Sequence, residues 1–493
     1  MTGLSKRSLV KQYAWALSGQ VAQALLALAS VVVIARLLGP ETYGVFALVM
    51  LIVGLAEILV GGHVTDFIVQ KPTVAAGDRN AAFVLAVLVA LAIAVSLLIA
   101  APFLAIVLGH RDIPVLMPAA ALLVVLTAAA NVPTNLLVRG MHFDILARID
   151  ATAGLAAFIV GVSLAYGGAG IWSLLVMEIV RRSLRLLLVS VAARWVPGVS
   201  FRWHNVAELW IFARSRLLGA LFQYLAQATP RLVVQAMLGT HALGYFAVAS
   251  RLLDQTTGLV TGPLAAIAFP AAARARGDLE QLRDLLARAI ATSTAIGWPA
   301  ILGFVVVAPV LIPILLGPDW ARAVLTIQIL TLSALRASVT GFNGAIILGL
   351  GRADLRMRLN LVNAVLGLLL CPFGALFGVE GVSAAVLVRA FISWPVGAAY
   401  VERLTGFAAK RQFRIAAISA IPAMAMAVSV EVLRRSLDGL VRAPLLGVVL
   451  IACGVIFYAG FWAALNFRRL PRIVGLASAR LRRRRNNIGV GGA

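Results

Sequence analysis

Charge is scarce in this chain: Asp, Glu, Lys and Arg make up 13% of its 493 residues, against 62% hydrophobic residues. A soluble protein of that balance would expose more apolar surface than water tolerates, so an aqueous globular fold is excluded. Acids are scarcer than bases, 19 against 43, and lysine is nearly missing, standing only at Lys6, Lys11, Lys71 and Lys410. The two cysteines, Cys371 and Cys453, lie in different apolar runs without the spacing of a metal or redox pair, and are read as buried, inert thiols. His63, His110, His142, His204 and His241 are scattered, and there is no metal-ligand spacing, nucleophile elbow or phosphate-binding glycine loop. No long polar segment leaves room for an external catalytic domain. A membrane enzyme such as a glycan polymerase or ligase is therefore disfavoured, a channel lacks any filter-like segment, and no metal or cofactor is expected.

What is present is a succession of apolar runs, each roughly 20 to 27 residues long, enough for a helix to cross a hydrocarbon core about 30 Å thick. They predict an all-α, polytopic membrane protein with about fourteen transmembrane helices, beginning at 14–38 and ending at 443–467. The run from Ala14 to Leu38 is too long for a signal-peptide core and reads as a retained first helix. Alternate connections separate by charge. One set carries Lys6, Arg7 and Lys11, then Lys71 and Arg79, Arg139 and Arg148, Arg194 and Arg202, Arg274, Arg276 and Arg283, Arg352, Arg356 and Arg358, Arg403, Lys410 and Arg411, and the tail after Arg468; the other holds little beyond Arg111, Arg322, Arg434, Arg435 and Arg442. Basic loops stay inside, which predicts an inner-membrane protein with both termini cytoplasmic. The net charge of +24 is thus read as topology and contact with anionic membrane lipids, not as a nucleic-acid surface. The segment from Trp195 to Glu208 reads as an interfacial bridge between two halves.

The chain repeats itself. Leu38-Gly39, Gly44, Phe46 and Ala47 in LGPETYGVFA return as Leu238-Gly239, Gly244, Phe246 and Ala247 in LGTHALGYFA, an offset of 200 residues. Farther on, Asp144 and Arg148 answer Asp354 and Arg358, and YGGAG at 166–170 answers FGVEG at 377–381. Six helices per copy is an even number, so both copies keep the same orientation about an axis along the membrane normal. The expected organisation is an N-lobe at 1–205, a C-lobe at 206–410, a terminal helix pair at 411–468 and a basic cytoplasmic tail at 469–493. Two lobes around a midplane site suit alternating access.

The stretch W-x-L-S-G-Q running into ARLLGPETYGVFALV, then GGHVTDFIVQKP, resembles the polysaccharide-transport branch of the multidrug/oligosaccharidyl-lipid/polysaccharide (MOP) exporter superfamily, the Wzx-like flippases. FARSRLLGALFQYLAQATPRLVVQAMLGTHALGYFAVASRL is similar to their second half. The resemblance implies a flippase for undecaprenyl-pyrophosphate-linked oligosaccharide in O-antigen, capsule or exopolysaccharide biosynthesis, with the polysaccharide polymerase or export machinery as a further partner. A drug or metabolite antiporter of the same superfamily and a peptidoglycan-precursor flippase are the alternatives. Relatives often carry an acid just before the cation of the seventh helix, where this chain has Thr229-Pro230-Arg231.

A diphosphate head group needs cations, and arginine's planar fork stays charged and binds phosphate oxygens in pairs. The substrate-binding candidates are Gln23, Gln223, Arg231, Arg251, Arg336 and Arg36; Glu57, Asp66 and Asp254 are the coupling candidates. Glu178 is in helical reach of Arg181 and Arg182, a locally paired cluster, and Arg251 and Asp254 have the spacing to pair likewise. Arg231 has no helical acid, and Pro230 frees a backbone carbonyl beside it. Arg36 lies close enough to a helix end to snorkel. Gln23 and Gln223 coincide at the repeat offset, where two amides at matching depth suit a sugar or each other.

Overall fold

The computed structural model describes residues 6–60, 68, 71, 74–198, 203–274 and 279–466, with side chains from 26 onward apart from 203–216, 218, 259–274 and 466. Among these residues it is helical throughout. Helix α1 (Lys6–Val60) is followed by α2 (Ala76–Leu108), α3 (Ile113–Arg139), α4 (Phe143–Tyr166) and α5 (Ile171–Ala193). The second half opens with α6 (Trp203–Arg274) and α7 (Leu279–Leu316). A 3-10 turn (Pro318–Trp320) leads into the short helices α8 (Ala323–Leu332), α9 (Ala334–Thr340) and α10 (Asn343–Gly349), then α11 (Ala353–Ala375) and α12 (Gly378–Thr405). Helices α13 (Ala409–Leu437) and α14 (Ala443–Asn466) complete the described chain.

Among the described residues, eleven helical stretches are long and apolar enough to cross a membrane. Two of them contain a break: α1 at Gly39 (φ 74°, ψ 172°) and α6 at Gly239 (φ 83°, ψ −178°). A side chain rarely adopts either conformation, so the repeated glycine is what turns each long helix into two crossings. Helix α5 falls outside the eleven, as its Glu178, Arg181, Arg182 and Arg185 dilute its apolar character. The faces turned away from the bundle are apolar, with Ile99 and Ile106 on α2 75% and 80% exposed; in lipid that exposure carries no hydrophobic cost.

The two halves meet most extensively where α1 packs on α6. The contact is reciprocal. A Cβ on Gly44 would overlap the carbonyl oxygen of Thr240, and one on Gly244 would overlap that of Pro40. Positions 40 and 240, and 44 and 244, are repeat mates, so residue i meets j′ while i′ meets j, as a two-fold axis between the copies requires.

Interior prolines bring a second kind of order. A proline in a helix leaves the carbonyl four residues earlier without its donor, and in three places a side chain from another helix supplies one. Arg389 of α12 donates to Ala226 O, freed by Pro230, at 2.6 Å. Tyr458 of α14 donates to Ala295 O, freed by Pro299, at 2.7 Å. Gln328 of α8 donates to Val305 O, freed by Pro309, at 2.7 Å. Tyr458 thereby ties the terminal pair to α7, beside an apolar contact of Val307 with Met426, Val430, Leu446 and Leu450.

Candidate functional site

The end of the seam marked by Gly39 and Gly239 is closed by aromatic rings. Trp320 is 1% exposed and donates its indole N–H to Ala35 O at 3.1 Å. Tyr43 and Tyr245 stand edge-on to it, with ring centroids 6.3 and 5.8 Å away. Tyr245 donates to Asp319 O at 3.1 Å and its hydroxyl lies 2.9 Å from His241 Nε2. Arg36, expected to snorkel or face the substrate, instead donates to Ile314 O at 2.9 Å, one of the last carbonyls of α7 and so without a helical donor. Its guanidinium is a cap spanning the two halves. Deeper in the seam, Tyr224 of α6 donates to Leu51 O and lies over Gly54, which leaves its ring room.

Below this seal the two halves carry charge differently. In the first half, Glu178 receives Arg181 Nη2 at 2.6 Å and Nε at 3.1 Å, while Arg182 Nε stands 3.5 Å from it. Arg182 Nη1 reaches Glu57, and also donates to Thr127 Oγ1 at 2.6 Å and Leu123 O at 3.1 Å. Thr127 in turn donates to Glu57 at 3.0 Å. Arg185 holds Asp150 of α4 at 2.8 Å. The pairing read within one helix therefore extends to α1, α3 and α4: three guanidiniums on three carboxylates, with the coupling candidate Glu57 held by Arg182. Helical spacing had no means of finding Asp150 or Thr127, which lie on other helices.

In the second half, Arg231 is paired with Asp254 at 3.8 Å, across the break at Gly239. The expected Arg251–Asp254 pair does not form, and Arg251 is exposed without an ion pair among the described residues. The helical count was correct, but the folding-back of α6 puts Arg231 nearer. Asp254 is 67% exposed at its side chain and Arg231 35%; Gln223, on the same helix, is exposed as well. The side chain of Gln23 and the whole of Asp66 lie outside the described residues, as does the basic tail. Among the described residues Arg336 on α9 donates to Thr340 Oγ1 alone, at 3.3 Å, and its Nε is buried without a partner. Arg356, read from the sequence as a loop cation, is half-buried on α11 with its guanidinium against Gly344. The repeat also bends here: Arg148 pairs with Asp144 at 3.2 Å, whereas Asp354 is gripped by Arg352 at 2.9 Å rather than by Arg358.

Broken helix pairs, a reciprocal seam and an interior richer in arginine than in acid define a two-lobed membrane transporter fold. Solved structures share it. A lipid II flippase, MurJ, in an inward closed conformation superposes with a TM-score of 0.75 at 12% identity, over 92% of this chain and 98% of that one. An inward-facing multidrug resistance MATE family transporter of the MOP superfamily gives 0.58 at 16% identity, over 82% and 98%. The family model described as polysaccharide biosynthesis protein matches residues 33–325, more than half of the chain, which belongs to that family. Among its relatives, the succinoglycan biosynthesis transport protein ExoT of Rhizobium meliloti (strain 1021) is 24% identical over 330 residues, 67% of each chain. The lipopolysaccharide biosynthesis protein WzxC of Escherichia coli (strain K12) is 22% identical over 343 residues, 69% of this chain and 70% of its own.

Proposed function

We propose that this protein is a flippase that carries undecaprenyl-pyrophosphate-linked oligosaccharide across the bacterial inner membrane by alternating access, supplying a polysaccharide pathway. The observation that carries the reading is the charge of the second half, where Arg231, Arg251, Arg336, Arg356 and Arg389 have Asp254 as their one ion-paired carboxylate among the described residues. Cations within membrane-spanning helices demand an anion, and a diphosphate head group is one. Among the described residues, the acids that would favour a cationic drug are each in ion-pair range of an arginine: Glu178, Glu57 and Asp150 in the first half, and the exposed Asp254 on Arg231 in the second. Asp254 is accordingly the assigned coupling group, and Gln223 with Gln23 the assigned glycan donors. Family membership, and relatives named for succinoglycan transport and lipopolysaccharide biosynthesis, support the same substrate class.

The loop charges orient the protein with both termini in the cytoplasm. The end closed by Trp320 and Tyr43 then faces outward, and loading occurs from inside. A polymerase acting on the flipped oligosaccharide is the expected partner on the outer side. Deleting the gene tests this: lipid-linked oligosaccharide should accumulate on the cytoplasmic face while surface polysaccharide falls. Unchanged surface polysaccharide without that accumulation, in a strain carrying no second transporter of the class, would overturn the assignment.

A further inference from the structure

Arg336 on α9, Arg356 on α11 and Arg389 on α12 are half-buried and have no carboxylate in ion-pair range among the described residues. Helix α12, which carries Arg389, packs against both α11, which carries Arg356, and α9, which carries Arg336. The helices that carry them run so that Arg356 sits in the first turns of α11, near the basic end of the bundle, while Arg336 and Arg389 lie near mid-helix of their crossings. The cations thus form a series in depth. Arg231 and Arg251 continue it toward the Gly239 break.

The surroundings of the three are shaped for a guanidinium and one further group. Gly344 leaves space that a Cβ would deny to Arg356, and Gly367 leaves the same for Arg389. Beside Gly344, Asn343 is 2% exposed, yet neither its amide nitrogen nor its amide oxygen has a partner. Arg336 Nε is likewise buried and unpartnered. Converging like charges, together with a buried amide whose donors are unused, is an arrangement a membrane protein keeps only where an anion relieves it. Arginine forks and an amide N–H are the donors that phosphate oxygens accept. In the first half, by contrast, Arg181, Arg182 and Arg185 are already on Glu178, Glu57 and Asp150.

We propose that Arg336, Arg356 and Arg389, with the Asn343 amide, form a diphosphate-binding station inside the second half, which holds the phosphates of the substrate before they reach Arg231 and Arg251 at the seam. The inference rests on the flippase reading for the identity of its ligand, and it assigns the phosphates to one half.

The test uses the full-length protein in detergent, with farnesyl diphosphate and inorganic diphosphate as probes and binding followed both by titration and by the rise in Tm on ligand addition. The wild type binds; Arg336→Gln and Arg356→Gln each weaken binding at least tenfold, and Arg185→Gln leaves it within twofold. Removing a repelled cation also leaves the ligand-free Tm of Arg336→Gln at or above wild type, so lost binding is not lost folding, and Arg336→Lys recovers part of the affinity. Comparable affinity for both probes places a free diphosphate within the site's range, whereas preference for the prenylated probe places the ligand as a lipid head group; either result, if abolished in the variants, supports the station. Unchanged binding in an Arg336→Gln, Arg356→Gln double variant, or equal weakening by Arg185→Gln, overturns it. Variants that bind normally, alongside a deletion strain that loses polysaccharide, sink the station alone. A deletion strain with normal polysaccharide, alongside variants that lose diphosphate, sinks the transport reading and leaves the anion site.

Discussion

Arg389 donates to the carbonyl oxygen of Ala226, the acceptor left open by Pro230, at 2.6 Å. The bond puts one guanidinium between the proposed diphosphate station and the proline of α6. Because a proline-freed carbonyl and a cation without a carboxylate satisfy each other, their substitutions are expected to be non-additive. Arg389→Gln in the wild type should cost stability, since it strands Ala226 O. In a Pro230→Ala background the helix supplies its own N–H, and the same change should cost at least about 1 kcal/mol less. A double-mutant cycle from thermal melts measures this, and strict additivity would contradict it.

Breaking the Arg182–Glu57 pair of the first-half network is expected to be severe. Arg182 is 13% and Glu57 29% exposed at the side chain, and Arg182→Gln leaves Glu57 without its cation. A loss of roughly 3–5 kcal/mol is typical of breaking a buried pair. Glu57→Gln, Arg182→Gln together should recover part of it. If Glu57 were a proton-coupling site instead, Glu57→Gln alone would abolish transport while leaving the melting temperature unchanged.

The reciprocal seam predicts a matched pair of phenotypes. Gly44→Ala and Gly244→Ala each place a methyl onto a backbone carbonyl of the opposite half, and overpacking of that kind costs about 1–3 kcal/mol. That cost is borne only with this end closed. Cysteines introduced on either side of the seam should become more accessible from outside in both variants, to similar extents.

Removing both amides, Gln23→Leu with Gln223→Leu, tests their assignment to the glycan. Transport should drop at least tenfold with the protein still folded in the membrane. Normal export of polysaccharide by the double variant ends that assignment.

Tyr458→Phe should loosen the terminal pair by about 1 kcal/mol, the worth of a typical hydrogen bond, because Ala295 O then has no donor. Limited proteolysis near 438–442 reports the loosening, and an unchanged cleavage rate would contradict it.

The legible part of this protein is what one-dimensional periodicity encodes. Apolar runs of spanning length gave the helices, and LGPETYGVFA with its echo gave the duplication, including the two glycines where α1 and α6 break. Even the proline-freed carbonyl near Arg231 was readable, because its cause is four residues away along one helix. Its donor was not, for Arg389 lies 163 residues beyond Ala226. Arg251 and Asp254 show the opposite failure: spacing offered them as a pair, and the fold-back of α6 gave Asp254 to Arg231. Arg356 looked like a loop cation from its neighbours Arg352 and Arg358, and only its contact with Gly344 of α10 drew it inward.

Composition and spacing by themselves determined that the chain lives in lipid, that it crosses in helices and that its two copies point the same way, since backbone hydrogen bonding in hydrocarbon leaves few other solutions. Which arginines are neutralised and which stay free was decided in three dimensions. Ion pairing depends on distances of a few ångströms between side chains on different helices, and no pattern along a single strand of sequence fixes those.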